Sequence, residues 1–291
     1  MKNNIIVIIG PTGVGKTKLS VELAKKYNAE IINADSMQFY KELNIGTAKI
    51  TEEEKENIPH HLFDIKNVEE MYTIYDYQND CRNKIQEILS KGKKAIIVGG
   101  SGLYIRAALY DYKLDKEDNK LDYSNYSNKE LKERCLEIDK NCDIHENNRK
   151  RLERFLNKNI NNRDFTNNSK KLYEYKMIGL TTNRDNLYNI INKRVDKMFE
   201  EGLLEEVKKF YKKNIKSKAI MTGIGYKELY SYFDNEITLE EAKELIKKNS
   251  RHLAKRQYTF FNNQFDDIKW IETNYNNFNE TVKEAIKYIE E

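Results

Sequence analysis

The sequence predicts an α/β fold, a doubly wound parallel sheet with a helical insertion, and three observations lead there. Short apolar runs at 5–9, 30–33 and 95–98 are each followed by a Gly-rich or polar turn and then by helical periodicity. Strands alternating with helix-length segments imply βαβ units, and strands buried on both faces read as continuous apolar runs. From 184 to 262 the pattern changes: RVDKMFEEGLLEEVKKFY and TLEEAKELIKKNSRHLAKRQYTFF carry apolar residues at three- and four-residue spacing, with no strand between them.

A fourth strand is expected at 175–180, a last one at 267–271, and a closing helix at 281–289. The domain reading is therefore a core at 1–183, completed by 263–291, with a helical insertion at 184–262. Segments 113–129 and 157–170, rich in Asn, Lys, Asp and Ser, are read as loops flanking short helices. No repeat of solenoid period is visible.

Composition narrows the class. Charged residues make up 34% of 291 residues, above the roughly 25% of ordinary globular chains, but they alternate with apolar positions, so the chain reads as folded. A net charge of +4 neither demands nor excludes a nucleic-acid partner. Cys81, Cys135 and Cys142 form no CxxC pair and leave an odd count, which speaks against a disulfide framework or a cysteine-rich zinc site and fits a reduced cytoplasm. The apolar run at 5–9 is too short for a signal peptide, and no stretch reaches the ~20 apolar residues that a bilayer span needs.

The chemistry starts at residues 10–17, GPTGVGKT, which match G-x-x-x-x-G-K-[ST] at every fixed position, directly after one predicted strand and before a helix starting near Lys16. In the loop of Gly10, Pro11, Thr12, Gly13, Val14 and Gly15 the glycines let backbone N–H groups turn inward around phosphate oxygens, and the helix N-terminus adds about half a positive charge. Lys16 neutralises the far phosphate and Thr17 is the candidate ligand for Mg²⁺. The predicted architecture is thus a P-loop NTPase-like doubly wound parallel sheet core with a helical insertion domain.

An ATPase or GTPase of this class carries an Asp at the end of a second apolar strand to organise Mg²⁺. Here the 95–98 run ends in Gly99-Gly100-Ser101-Gly102, and the carboxylate that does follow a strand is Asp35. This arrangement suits a transferase with a second substrate better than a motor or switch, and small-metabolite kinases share it. A guanine-nucleotide switch lacks its N-K-x-D motif, since 192–196 reads NKRVD.

Further motifs stand in order along the chain: DSMQFY at 35–40, GTAK at 46–49, HHLFDI at 60–65, VGGSGLY at 98–104, RVDKMFEEGLLEEV from Arg194, GIGYKEL from Gly223 and AKRQ at 254–257. With GPTGVGKT they resemble bacterial tRNA dimethylallyltransferase, of the tRNA isopentenyltransferase family, over nearly the whole chain. The resemblance implies transfer of a dimethylallyl group from dimethylallyl diphosphate to N6 of the adenine just 3′ of the anticodon, with release of diphosphate. The phosphate loop then grips a diphosphate leaving group. The implied partners are the tRNA anticodon stem-loop and dimethylallyl diphosphate, with Mg²⁺ as cofactor, no membrane, and a monomeric enzyme in the cytoplasm.

In that light Asp35 matches the family's catalytic Asp and is the base that takes a proton from the weakly nucleophilic adenine amine, against the plainer role of a turn residue. Ser36, Met37 and Gln38 match its tRNA-contacting stretch, Gln38 having the donor and acceptor that suit an adenine edge, while Met37 equally reads as core. Ser101 stands where the family usually has Thr and keeps the hydroxyl, for the target base or the diphosphate. Arg184 is the candidate lid over the phosphates, against a surface arginine pairing with Asp185 or Glu174. The basic stretches 149–154 and 247–257 are candidate tRNA surfaces, and Phe39 or Tyr40 candidate stacking partners for the extruded base. His60 and His61 are read as structural. Departures from the family pattern are His145-Glu146-Asn147-Asn148 in place of an HPND-like segment, and Phe260 and Asn262 in place of Trp and Arg.

Overall fold

A computed structural model describes residues 4–112, 114, 121–160 and 167–291. The chain opens with β1 (Ile5–Ile9), α1 (Lys16–Tyr27), β2 (Ala29–Asn33), α2 (Glu52–Lys55), β3 (His60–His61), α3 (Ile74–Ser90), β4 (Lys94–Val98) and α4 (Gly102–Leu109). It continues with β5 (Tyr110–Tyr112), α5 (Asn128–Ile138), α6 (Arg149–Ile160) and β6 (Asn167–Lys171). β7 (Tyr175–Thr181) returns to the first sheet and leads into α7 (Arg184–Glu200), α8 (Leu203–Lys212), α9 (Lys218–Thr222), α10 (Tyr226–Phe233) and α11 (Leu239–Gln264), before β8 (Ile268–Glu272) and α12 (Phe278–Glu290).

The main sheet runs β3-β2-β4-β1-β7-β8, and every pairing in it is parallel. β1 lies between β4 and β7, and all five of its residues are buried, which is why its sequence is an unbroken apolar run. Each such Ile or Val contributes about 1.5–3 kcal/mol relative to an exposed position. Ile6 and Ile8 share a core with Leu19 and Leu23 of α1 and Ala285 and Ile289 of α12.

Topology fixes where a ligand fits. From β1 the chain crosses to β2 on one side, whereas from β4 it returns to β7 on the other, and right-handed crossovers put the following helices on opposite faces. The crevice at the carboxyl ends of β1 and β4 is therefore the switch point of the sheet, where open α/β folds bind ligands.

The structure bears out the doubly wound core and its strands, and differs in detail. The short β3 and the β5-β6 pair were not legible, being two to five residues long and mostly polar. The run from Arg194 to Tyr211 is two helices, because Gly202 at φ 101° starts α8 on a new axis. Of the loop expected at 157–170, its first residues complete α6 and its last form β6. Residues 113, 115–120 and 161–166 lie outside the described residues.

Two compact units are present, Met1–Leu109 with Lys171–Glu291, and Tyr110–Lys170. Helices α7–α11, the expected insertion at 184–262, lie in the first unit with the sheet. The second is a helical pair whose small core holds Tyr123, Leu131, Cys135, Cys142, Leu152 and Leu156.

Candidate active site

Between β1 and α1 the loop places Gly10, Gly13 and Gly15 at φ 140°, 90° and 89°, a region costly for residues with a Cβ. Val14 is buried and its carbonyl accepts from Thr273 Oγ1 at 2.8 Å, which fixes the loop from behind. Lys16 Nζ donates to the Pro11 carbonyl at 2.6 Å, across its own loop. Desolvation pulls the Lys16 ammonium from 10.5 down to about 8; the Asp35 carboxylate opposes that fall and the Arg194 charge adds to it.

Arg194, on α7, is the arginine that reaches the loop. Its Nη1 donates to Thr12 Oγ1 at 2.7 Å and its Nη2 to the Thr47 carbonyl at 3.3 Å. Burial lowers its pKa and the Asp35 carboxylate raises it, so the guanidinium stays charged. Helix α7 lies over the loop closely enough that a Cβ on Gly13 would stand 2.9 Å from Ile190 Cγ2. Arg184, the arginine picked from the sequence, is exposed in the first turn of α7 and sits over the Tyr188 ring at 5.1 Å. Among the described residues it makes no hydrogen bond to the phosphate loop. Arg194 opens the RVDKMFEEGLLEEV motif, the one signal that singled it out.

The facing wall comes from the ends of β2 and β4. Asn33 anchors the turn after β2: its Oδ1 accepts from the Asp35 amide at 2.8 Å, and its Nδ2 donates to the Leu62 carbonyl at 3.0 Å. Asp35 Oδ1 accepts from the Met37 amide at 3.3 Å. This leaves Asp35 half-buried, with its carboxylate the negative neighbour of both Lys16 and Arg194. Ser101 Oγ accepts from the Ser36 amide at 3.0 Å and donates to Ser36 Oγ at 3.3 Å, joining the two strand ends. Gly99 is required by that closeness, since a Cβ there would stand 2.2 Å from the Ala34 carbonyl oxygen.

Gln38 Nε2 donates to the carbonyls of Thr47 and Ala48 at 3.1 and 3.4 Å. Met37 is half-buried against the helical core of α7–α11, the plainer of its two sequence readings. Phe39 is 1% exposed and sits in an aromatic cluster with Tyr72, Tyr77 and Tyr104, so it is core and offers no face to a base. Tyr40 is half-buried.

Sequence reasoning assigned no role at this site to three other contributors, Gln257, Tyr104 and Phe260. Gln257 of AKRQ joins the walls: its Oε1 accepts from the Thr12 amide at 3.2 Å and its Nε2 donates to the Gly100 carbonyl at 3.1 Å. Beside it a cleft of about 250 Å³ is lined by Gly100, Ser101, Tyr104, Arg256 and Phe260. Tyr104 and Phe260 are the aromatic residues that line this cleft together with Ser101. Burial pushes the Tyr104 phenol up to about 12, keeping it neutral.

Mg²⁺ prefers hard oxygen donors, keeps several waters and is held through one or two protein groups plus substrate phosphates. Thr17 fits: it is exposed on the first turn of α1, and its hydroxyl has no hydrogen-bond partner among the described residues. The two histidines are otherwise engaged. His61 Nε2 meets the buried Glu30 carboxylate at 2.6 Å, and His60 Nδ1 meets the Ile58 carbonyl at 2.7 Å. No helix among the described residues is long and apolar enough to cross a membrane.

The basic stretches divide by use. Arg149 is spent within its own unit, on the carbonyls of Tyr123 and Tyr126 and on Glu153, while Lys150, Arg151 and Arg154 are exposed. On α11, Lys247 pairs with Asp196 and Glu244, whereas Lys248, Lys255 and Arg256 are exposed.

Residues 38–264 match the sequence model of the family described as IPP transferase. The tRNA dimethylallyltransferase of Anoxybacillus flavithermus is 45% identical, over 100% of this chain and 97% of its own. That of Bacillus subtilis is 44% identical, over 93% of this chain and 91% of its own. Among solved structures, the tRNA isopentenylpyrophosphate transferase of Bacillus halodurans superposes with TM-score 0.77 at 39% identity, covering 100% of this chain and 97% of that one. A eukaryotic dimethylallyltransferase acting on tRNA gives TM-score 0.84 at 27% identity, covering 99% of this chain and 78% of that one.

Proposed function

The chain belongs to the IPP transferase family, and from that premise we propose how its residues carry a dimethylallyl group from dimethylallyl diphosphate to N6 of the adenine 3′-adjacent to the anticodon of tRNA. The observation that carries the reading is the opposition of two walls. A carboxylate on one, Asp35, faces a phosphate loop and two cations, Lys16 and Arg194, on the other.

The amine of adenine attacks C1 of the dimethylallyl group; the C–N bond forms as the C–O bond to diphosphate breaks. Asp35, whose backbone amide is held by Asn33, accepts the proton that N6 gives up. Ser36 and Ser101 hold that wall in place, Gln38 offers its carbonyl oxygen to the base, and Met37 backs the turn. The negative charge gathering on the leaving diphosphate is met by the backbone amides of Gly13, Val14 and Gly15, by Lys16 and by Arg194, which the contact with Thr12 already holds at the loop. Lys16 exchanges the Pro11 carbonyl for a diphosphate oxygen. The Thr17 hydroxyl would hold Mg²⁺, which when bound would supply charge neutralisation at the leaving diphosphate.

The extruded base enters the cleft beside Ser101, with Tyr104 and Phe260 as its flat neighbours. Lys150, Arg151 and Arg154 on α6, and Lys248, Lys255 and Arg256 on α11, take tRNA phosphates. The enzyme works as a monomer in the cytoplasm, where tRNA is its substrate.

The test is incubation with unmodified tRNA and dimethylallyl diphosphate labelled in the prenyl group, with γ-labelled ATP as the rival donor. Prenyl label appears in the RNA if the reading holds. Label leaving ATP for a small acceptor, with none entering RNA from the prenyl donor, overturns it.

A further inference from the structure

Three motifs without a catalytic role, GLLEEV, GIGYKEL and GTAK, meet at one buried carboxylate. Glu206, in the first turn of α8, is 8% exposed. Its Oε2 accepts from the amides of Asn44 at 3.1 Å and Ile45 at 2.8 Å. Its Oε1 accepts from the Gly46 amide at 3.1 Å and the Tyr226 hydroxyl at 2.6 Å. Among the described residues it forms no ion pair. Its charge is spent on three consecutive backbone amides, the arrangement that lets an anion organise a loop. The Tyr226 ring closes the loop from the side: a Cβ on Gly46 would stand 2.7 Å from it.

The next residue of that loop serves the reaction. The Thr47 carbonyl accepts from Arg194 Nη2 at 3.3 Å and from Gln38 Nε2 at 3.1 Å. Arg194, which also holds Thr12 of the phosphate loop, and Gln38, on the acceptor wall, therefore share one acceptor. The position of that acceptor is set from α8.

We propose that Glu206 is a positioning residue for prenyl transfer: by holding residues 44–46 it presents the Thr47 carbonyl that aims Arg194 at the diphosphate and Gln38 at the adenine. This rests on the assignment of the diphosphate to the phosphate loop and Arg194. Replacing the carboxylate by an amide turns one acceptor into a donor facing donors, and the loop loses its register.

The experiment is a double-mutant cycle read by calorimetric affinity for inorganic diphosphate with Mg²⁺, alongside prenyl transfer to tRNA, on the full chain. Glu206→Gln lowers kcat/KM on the order of 10²-fold, the scale of a misaimed group near 1 Å out of place. It weakens diphosphate binding in the wild-type background and leaves it unchanged in the Arg194→Ala background, because the effect travels through Arg194. A merely structural role gives the same loss in both backgrounds, and that result overturns the proposal, as does unchanged binding in both. If Glu206→Gln does not fold, Tyr226→Phe, which removes one of the four bonds, gives the same coupling at smaller size or refutes it. If the wild-type protein transfers no prenyl group to tRNA, the functional reading fails; if it does and the cycle is additive, only the role of Glu206 fails.

Discussion

Arg194 and Thr12 are 182 positions apart in sequence, yet the guanidinium Nη1 donates to the threonine hydroxyl at 2.7 Å. Through that contact α7 delivers a fixed positive charge to the phosphate loop. Preorganised charge of this kind is worth about 10²–10³ in kcat when one donor is removed. Arg194→Ala accordingly lowers kcat/KM for the prenyl donor by about that factor. Arg184→Ala, on the exposed first turn of the same helix, changes it less than about twofold, as surface substitutions usually do. Steady-state kinetics on the two variants distinguish them.

The lowered pKa of Lys16 gives a pH dependence with a definite sign. In the free enzyme the ammonium titrates at about 8, and bound diphosphate raises that value by stabilising the charged form. The Lys16 contribution to diphosphate affinity is therefore flat below the free pKa of about 8 and weakens as pH rises above it, until the bound form also titrates. Competitive inhibition by inorganic diphosphate, measured from pH 6.5 to about 9.5, checks this. Lys16→Arg, which does not titrate in that range, removes the break if Lys16 is its source.

Gly99 and Gly92 separate crowding from backbone strain. A Cβ on Gly99 meets the Ala34 carbonyl oxygen at 2.2 Å, whereas Gly92, at φ 71°, has nothing within 4 Å of such an atom. Gly92→Ala costs only about 1–2 kcal/mol, the price of the left-handed conformation. Gly99→Ala forces the ends of β2 and β4 apart and costs more than about 3 kcal/mol, in the range of severe overpacking. Urea denaturation of both variants measures the difference, and equal losses would contradict the close approach.

Thr17 predicts a metal dependence. Thr17→Ser keeps the hydroxyl and transfers at close to the wild-type rate, while Thr17→Val raises the Mg²⁺ concentration needed for half-maximal transfer, with tRNA affinity unchanged. A magnesium titration of transfer by the three proteins reads it. Identical curves for Thr17→Val and wild type would remove Thr17 from the metal's coordination.

Much of this site was legible because its physics is local. A buried strand, glycines at positive φ and a helix N-terminus sit within residues 5–17, so the phosphate loop could be read from its own sequence. Asp35 and Ser101 each follow a strand, and parallel pairing of β2 with β4 brings strand ends together. Arg194 and Gln257 were not placed at the phosphate loop, because each is one polar position on an amphipathic helix. What selects Arg194 over Arg184 is the path of α7, which lays Ile190 on Gly13. Phe39 failed for the opposite reason. Its motif offered the ring as a stacking partner for the extruded base, but the fold packs that ring against Tyr72 and Tyr104.

The most direct test of the central claim is the Asp35→Asn variant under single-turnover conditions, with saturating tRNA and labelled dimethylallyl diphosphate. If the Asp35 carboxylate is the base, the rate of prenyl transfer falls by about 10²–10⁴-fold, while tRNA affinity stays within about twofold of wild type. Near-normal transfer by Asp35→Asn would contradict the account.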